Sequence, residues 1–195
     1  TPPPPPTVAS TSPTSDDTPT WTWSAGGGAA LYRFGYAEGT WIAENTSVET
    51  YTAGTLGEGT HTLYVQECDA VGNWSNSGSF AVTVDLSPPS APVVTGPGAS
   101  ADTTPTWTWS TGGGGNGRYR YGYAVGTWIL EDVTDTEFTP ATPLAVGTYE
   151  LFVEERDDVG HWSAAGSFVV DVQAPASSSS DDDGGCAPGG SGTPV

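Results

Sequence analysis

Carboxylates are the side chains of this protein that are best suited to chemistry. The 195 residues include 23 Asp and Glu but only 4 Lys and Arg, which gives a formal net charge of -19. This surplus repels phosphate backbones and anionic lipid surfaces, so nucleic acid and an anionic bilayer are excluded as partners. The carboxylates favour cations instead, and Ca²⁺ in particular takes sets of roughly 6–8 oxygen ligands.

The histidines and cysteines do not form the pattern of a catalytic centre. His61 and His161 are the 2 imidazoles of the chain. Neither lies in a motif with a second His or with a nucleophilic Ser or Cys. Cys68 and Cys186 lie far apart in the sequence and indicate no disulfide framework. We therefore predict that the protein is not an enzyme.

Tryptophan side chains could bind sugars, because a flat indole ring has both an apolar body and a polar tip. Of the 8 Trp residues, those at alternate positions in predicted strands are expected to fill a core: Trp21, Trp23, Trp107 and Trp109. Trp74 and Trp162 lie in predicted loops, and Trp41 and Trp128 lie near predicted strand edges. Trp74, Trp128 and Trp162 are the candidates for a ligand-binding surface, with packing as the alternative.

An internal repeat organises the positions of these residues. The motif TPTWTWS occurs at 18–24 and again at 104–110, and each copy precedes a Gly-rich run, GTWI and D-x-V-G-x-W-S. A period of about 86 residues has the size of one small domain duplicated in tandem. The predicted organisation is a Pro-rich linker at 1–6, domain 1 at 7–86, a Pro-rich joint at 87–92, domain 2 at 93–174 and a disordered tail at 175–195.

Within each repeat, apolar residues alternate with polar ones, as Trp21 and Trp23 do with their Thr neighbours. This period of two indicates half-buried strands separated by Gly and Asn turns, and no stretch has a helical pattern. The sequence therefore predicts an all-β fold of two tandem immunoglobulin-like antiparallel β-sandwiches. The Pro-rich N terminus and the Ser/Asp/Gly-rich C-terminal tail are predicted to be disordered.

Two local features refine this fold prediction. The Gly runs at 26–28 and 112–115 lack the Lys and the helix of a phosphate loop, and are interpreted as flexible loops between the second and third strands. Leu-x-x-Gly-Thr-Tyr at 144–149 is typical of a corner at which the Tyr149 hydroxyl bonds back to the preceding turn. His61 occupies the same place in the first repeat.

The motifs TPTWTWS, GTHTLYVQE, D-x-V-G-N-W-S and VDLSPPSAP resemble the bacterial immunoglobulin-like repeats of large surface adhesins and other exported proteins. The resemblance covers residues 6–174 and implies a non-catalytic spacer of a cell-surface or secreted protein, next to neighbouring domains of the same or a like chain. One alternative is a subunit of an extracellular filament assembled by strand pairing. A second is a carbohydrate-binding accessory module, with a glycan or a cell-surface protein as the partner.

The strand order of such a sandwich predicts an acidic joint between the two domains. The lower pole of domain 1 and the upper pole of domain 2 should meet there, and the carboxylates expected to converge are Asp16, Asp17, Glu58, Asp85, Asp157 and Asp158. The resemblance implies that Ca²⁺ at this joint holds the domains rigid. The alternative is that these acids are solvated turn residues.

The C-terminal tail contains a Ser/Asp run that ends in Gly-Gly-Cys186. Such a run is typical of the stalk before a C-terminal sorting signal, so Cys186 is a possible anchor or cross-link. Cleavage, truncation or a simple linker are the alternatives. No apolar run approaches the ~20 residues of a membrane helix, and the chain opens with no charged and apolar leader. A mature piece of an exported protein is therefore expected.

Overall fold

The computed structural model describes residues 1–175. All of the regular secondary structure in that range consists of β-strands. The strands of domain 1 are β1 (Thr7–Ala9), β2 (Thr20–Ser24), β3 (Leu31–Gly35), β4 (Ala43–Thr46), β5 (Thr50–Thr52), β6 (Gly59–Cys68) and β7 (Gly78–Val84). Those of domain 2 are β8 (Val93–Thr95), β9 (Ala99–Ser100), β10 (Trp107–Ser110), β11 (Arg118–Gly122), β12 (Leu130–Val133), β13 (Glu137–Phe138), β14 (Gly147–Arg156) and β15 (Gly166–Val172).

Each domain folds into two sheets that share one core. In domain 1 the strand order is β1-β2-β5 in one sheet and β4-β3-β6-β7 in the other. Domain 2 repeats this order as β8-β10-β13 and β12-β11-β14-β15, with the short β9 added parallel to β15. This is an immunoglobulin-like sandwich of the three-plus-four type. The prediction of two tandem antiparallel β-sandwiches is confirmed.

Aromatic rings from both sheets fill each core. Trp21 is fully buried, and its Nε1 donates a hydrogen bond of 3.0 Å to the Phe80 carbonyl. Trp107 is equally buried and donates to the Phe168 carbonyl, also at 3.0 Å. Trp23 and Trp109 are each 5% exposed. The core role predicted for the four tryptophans at strand positions is therefore confirmed.

The predicted corner between the strands of opposite sheets is present in both domains. The Tyr149 hydroxyl donates to the Ala145 carbonyl at 3.1 Å. In domain 1, His61 Nε2 lies 2.8 Å from the Gly57 carbonyl oxygen. The two side chains therefore make the same bond to the residue four positions earlier, with an imidazole in place of a phenol.

The Pro-rich segments pack against the domains that follow them. Pro6 is buried, and a Cβ added at Gly78 would lie 1.9 Å from its carbonyl oxygen. Pro92 has the same relation to Gly166, and Pro89 is also buried. The N terminus thus differs from the disordered segment that was expected, because a residue without a side chain lets the extended chain lie directly on the sheet.

A buried carboxylate holds the Gly-rich loop of each domain. Glu67 is fully buried and accepts hydrogen bonds from the backbone N–H groups of Gly26 at 2.7 Å and Ala30 at 3.0 Å. In domain 2 the buried Glu155 accepts from the N–H of Gly117 at 3.2 Å. Both runs lie between the second and third strands of their domains, as predicted. Glu67 accepts from the run 26–28 itself and Glu155 from Gly117, just after the run 112–115, so neither carboxylate is buried without donors.

Candidate functional site

The joint between the domains brings two carboxylates and an imidazole together. Asp85 directly follows β7 of domain 1, whereas Asp157 and His161 lie in the loop between β14 and β15 of domain 2. One potential ligand atom from each of these side chains lies within 4.8 Å of the other two. Asp157 is buried, and the other two are half-buried. We call these three residues the joint cluster.

Asp157 is held in place by its own loop. Its Oδ1 accepts hydrogen bonds from the backbone N–H groups of Val159 at 2.9 Å, Gly160 at 2.7 Å and His161 at 2.8 Å. Its Oδ2 lies 3.0 Å from His161 Nδ1. Burial disfavours the charged carboxylate, but these donors outweigh it and lower the pKa of Asp157 from its ordinary value.

The equivalent loop of domain 1 is braced in the same way without an imidazole. Asp69 Oδ1 accepts from the N–H groups of Val71 at 3.0 Å and Asn73 at 2.8 Å, and its Oδ2 accepts from Asn73 Nδ2 at 2.8 Å. The Asn73 side chain, followed by the Asn73 backbone amide, lowers the pKa of Asp69. The motif D-x-V-G-x-W-S therefore encodes a loop brace, and His161 replaces Asn73 in it.

Two acids of the predicted calcium site are engaged by hydrogen bonds within domain 1 and its exposed C-terminal segment. Asp16 Oδ1 accepts hydrogen bonds from the N–H and the hydroxyl of Thr18, both at 2.8 Å. Glu58, just before β6, accepts one from the hydroxyl of Ser87 in the exposed segment after β7. The Asp16 contacts are those of a surface turn residue.

The remaining members of that predicted set divide into two groups. Asp17 is half-buried and Asp158 is exposed, and neither belongs to the joint cluster. Asp85 and Asp157 are brought together across the joint. Calcium binding by these residues stays a prediction.

An arginine is stacked between two tryptophans on the outer face of domain 1. Arg33 lies between the buried Tyr32 and Phe34 along β3, so its side chain points away from the core. Its Cζ is 4.7 Å from the centroid of the Trp41 ring and 4.3 Å from that of Trp74. A guanidinium over an indole face is attracted by the negative face of the ring.

Domain 2 repeats this stack with an additional charge. Arg120 Cζ is 4.6 Å from the centroid of the Trp128 ring and 4.3 Å from that of Trp162. Its Nη2 lies 2.6 Å from Oε2 of Glu154, a carboxylate that is only 8% exposed. In domain 1 the equivalent partner is neutral, because Arg33 Nε donates to Gln66 Oε1 at 2.8 Å.

The stacks bear on the residues predicted to bind a ligand. Trp74, Trp128 and Trp162 each have an arginine over one ring face. That face is not open to a sugar ring while the arginine stays in place. Ligand binding by these three residues stays a prediction.

The role of these arginines was missed by the sequence analysis. A signal is present in the sequence, because Arg33 and Arg120 occupy the same outward position in YRF and YRY, between two inward aromatic residues. In a protein with 4 basic residues, a basic residue kept at the same place in both repeats indicates a specific partner.

One of the two cysteines, Cys68, lies in the part of the chain that the structure describes. Cys68 is buried and free, and its Sγ lies 3.4 Å from the Asp69 carbonyl oxygen. Cys186, predicted as an anchor or cross-link, lies outside the described residues, as does the rest of the predicted tail after residue 175. None of the described residues belongs to a helix that is long and apolar enough to cross a membrane.

Comparisons with known proteins find similarity at the level of solved structures. No protein-family model and no curated protein matches the chain. It is 18% identical to the fibronectin(III)-like modules of Clostridium thermocellum CbhA, with a TM-score of 0.45 over 86% of this chain and 94% of that one. A two-domain fibronectin type III segment of chicken tenascin is 13% identical, with a TM-score of 0.36 over 85% of this chain and 98% of that one. The fold assignment rests on the strand order and the core of each domain, because similarity at these scores does not carry it.

Proposed function

We propose that this chain is a non-catalytic, extracellular spacer of a cell-surface or secreted bacterial protein of the adhesin type. The observation that carries the proposal is the packed joint between its two domains. Pro89 and Pro92 are buried, and Ser90 N–H donates to the Gly113 carbonyl at 2.9 Å. A connection that is packed into the next domain restricts bending, which is the property that a spacer needs.

The engagement of the two imidazoles supports the non-catalytic part of the proposal. His61 Nε2 is used in the corner bond to Gly57, and His161 Nδ1 faces Asp157. A general base would act through the other ring nitrogen on a nucleophile within reach, and in residues 1–175 no Ser, Thr or Cys side chain is hydrogen-bonded to either imidazole. The partners of both rings in the described part of the chain are a carbonyl and a carboxylate.

The filament alternative is disfavoured by the sheet edges. The edge strand β4 carries Glu44, and the edge strand β12 carries Glu131 and Asp132. The outer strands β1, β5, β8, β9 and β13 have three residues or fewer. The longer outer strand β7 is partly covered by the segment before β2, because the Thr14 N–H donates to the Thr83 carbonyl. Short and charged edges prevent pairing with another chain.

The shape of single molecules distinguishes the spacer from the filament. We expect negative-stain images of the full chain to show discrete short rods with a narrow range of bend angles. Replacement of residues 88–92 by Gly and Ser should broaden that range without unfolding either domain. Long uniform fibres would contradict the proposal, and so would a wild-type range as broad as that of the variant.

The carbohydrate-binding alternative rests on the tryptophans of the two stacks. A glycan array probed with the full chain tests it, with Trp128→Ala as the diagnostic variant. Binding that Trp128→Ala abolishes would favour the accessory module over the spacer. We expect no glycan to be retained.

A further inference from the structure

We propose that the joint cluster of Asp85, Asp157 and His161 binds a divalent transition-metal ion of the zinc class and thereby links the two domains. Each domain supplies at least one ligand, so the complete site exists only when both are in place. The inference goes beyond the spacer function, and it does not depend on where the protein is located.

The chemistry of the donors selects the class of metal. Calcium takes oxygen ligands, and the joint cluster offers an imidazole nitrogen beside its carboxylates. Zinc accepts mixed nitrogen and oxygen donors, commonly as three protein ligands and one water. Among divalent ions, imidazole is a ligand suited to Zn²⁺, Cu²⁺ and Ni²⁺. The His161 side chain therefore favours these ions over Ca²⁺.

The spacing of the donors is compatible with a single ion. His161 Nδ1 and Asp157 Oδ2 are 3.0 Å apart. Two atoms at that separation can both lie about 2.0–2.2 Å from one metal ion, the usual length of such bonds. The third ligand atom, from Asp85, lies within 4.8 Å of both, so a small rotation of the Asp85 side chain brings it to the ion.

The surroundings allow that rotation and hold the other ligands still. Asp157 Oδ1 is occupied by the backbone amides of its loop, which orients Oδ2 towards His161. Within residues 1–175, the Asp85 side chain accepts a single long hydrogen bond, of 3.2 Å, from the Ser87 N–H to Oδ1. Two carboxylates held this close repel each other, and a divalent cation removes that repulsion.

The repeat supplies an independent comparison. Asp85 and Gln173 hold the same position after the last strand of their domains, because their N–H groups donate to Thr14 and Ser100 in equivalent turns. His161 and Asn73 are equivalent in the braced loop. The residues that face the joint, Asp85 and His161, can ligate a metal through a carboxylate oxygen and an imidazole nitrogen. Their counterparts away from the joint, Gln173 and Asn73, are neutral amides.

The test is a titration of the full chain with zinc chloride after treatment with a chelator. We expect one Zn²⁺ per chain by calorimetry, a higher melting temperature with zinc, and a narrower distribution of distances between spin labels placed on the two domains. His161→Asn, which installs the residue of domain 1, and Asp85→Gln, which installs the counterpart from domain 2, should each weaken zinc binding at least tenfold. Asp158→Asn changes an adjacent acid outside the cluster and should leave the affinity unchanged.

Several outcomes would overturn the proposal. One is the absence of zinc binding by a folded wild-type chain. Another is zinc binding that persists in His161→Asn and Asp85→Gln. A third is zinc binding that is lost in Cys186→Ser, because that result would assign the metal to the C-terminal segment. Calcium binding that is insensitive to His161→Asn would support an all-oxygen site instead. Melting curves of both variants without metal must show folded protein, which the natural occurrence of Asn and Gln at the equivalent positions leads us to expect.

Discussion

Arg120 donates two hydrogen bonds to a single carboxylate oxygen of Glu154, from Nε at 2.8 Å and from Nη2 at 2.6 Å. The same guanidinium lies between the rings of Trp128 and Trp162. Domain 1 has the same stack, but its arginine bonds to the neutral Gln66. The two domains thus form a natural comparison: the arginine of domain 2 is bonded to a nearly buried carboxylate, whereas the arginine of domain 1 is bonded to a neutral amide.

Arg120→Ala should therefore destabilise its domain more than Arg33→Ala destabilises domain 1. Loss of Arg120 leaves the Glu154 carboxylate without its cation, at a cost of roughly 3 kcal/mol. Loss of Arg33 removes one hydrogen bond and the ring contacts, at a cost of about 1–2 kcal/mol. Chemical unfolding of the full chain, followed by resolved NMR signals from each domain, measures both values.

A second substitution checks the cause of that difference. Glu154→Gln in the Arg120→Ala background reproduces the neutral partner of domain 1 and should recover more than half of the loss. If the double variant is no more stable than Arg120→Ala, the buried charge is not the reason for the difference.

Gly28→Ala should destabilise domain 1 by about 2 kcal/mol or more. Its Cβ would lie 2.7 Å from the Cys68 carbonyl oxygen and 2.9 Å from the Glu67 side chain. Gly54→Ala is the matched control, because no atom lies within 4 Å of a Cβ added there. Thermal unfolding should separate the two variants, and equal melting temperatures would show that the Glu67 carboxylate does not constrain this loop.

Tyr149→Phe should lower the free energy of unfolding of domain 2 by about 1 kcal/mol. The substitution removes the hydroxyl that donates to the Ala145 carbonyl and keeps the ring. Tyr64→Phe serves as the control, because the Tyr64 hydroxyl donates no hydrogen bond to a described residue in this structure. A full-chain denaturation series in urea provides the comparison, and the corner bond is not stabilising if both variants behave alike.

The hydrogen bonds that Asp69 accepts in its loop should make part of the stability of domain 1 depend on pH. The lowered pKa of Asp69 means that the folded state favours the carboxylate, first through the Asn73 side chain. Its contribution is complete above the unfolded pKa of about 3.9 and is lost as the pH falls through the lower folded value. The stability difference between wild type and Asp69→Ala should therefore shrink below about pH 4. A difference that stays constant from pH 7 to pH 3 would contradict this linkage.

The sequence predicted the repeated sandwich because its signals are local. Alternation at Trp21 and Trp23 identifies a strand and its buried face without knowledge of the neighbouring strand. The Tyr149 corner is likewise a short-range bond, to the residue four positions before it. The predictions of these features were correct because each depends on residues that are close in the sequence.

The stacks and the joint cluster could not be predicted in the same way. Arg33 meets Trp74 because β3 pairs with β6, which brings residues far apart in the sequence onto one face. His161 meets Asp85 only through the arrangement of two domains. The acids predicted at the joint were chosen by charge and approximate position, so the set included turn residues and omitted the imidazole.

The packing of the Pro-rich segments determines how much chain is left to connect the domains. The Asp85 N–H still donates to domain 1, and Pro89 is already buried. Residues 86–88 lie between these two attachments, and all three are exposed, although the Ser87 hydroxyl also donates to Glu58 of domain 1. The four Cα–Cα steps from residue 85 to residue 89 span at most roughly 14 Å when extended. The tether therefore sets an upper limit on the separation of the two domains, and a protein engineer who excises domain 2 should begin at residue 88, because a cut at the start of β8 would remove part of the surface of the domain itself.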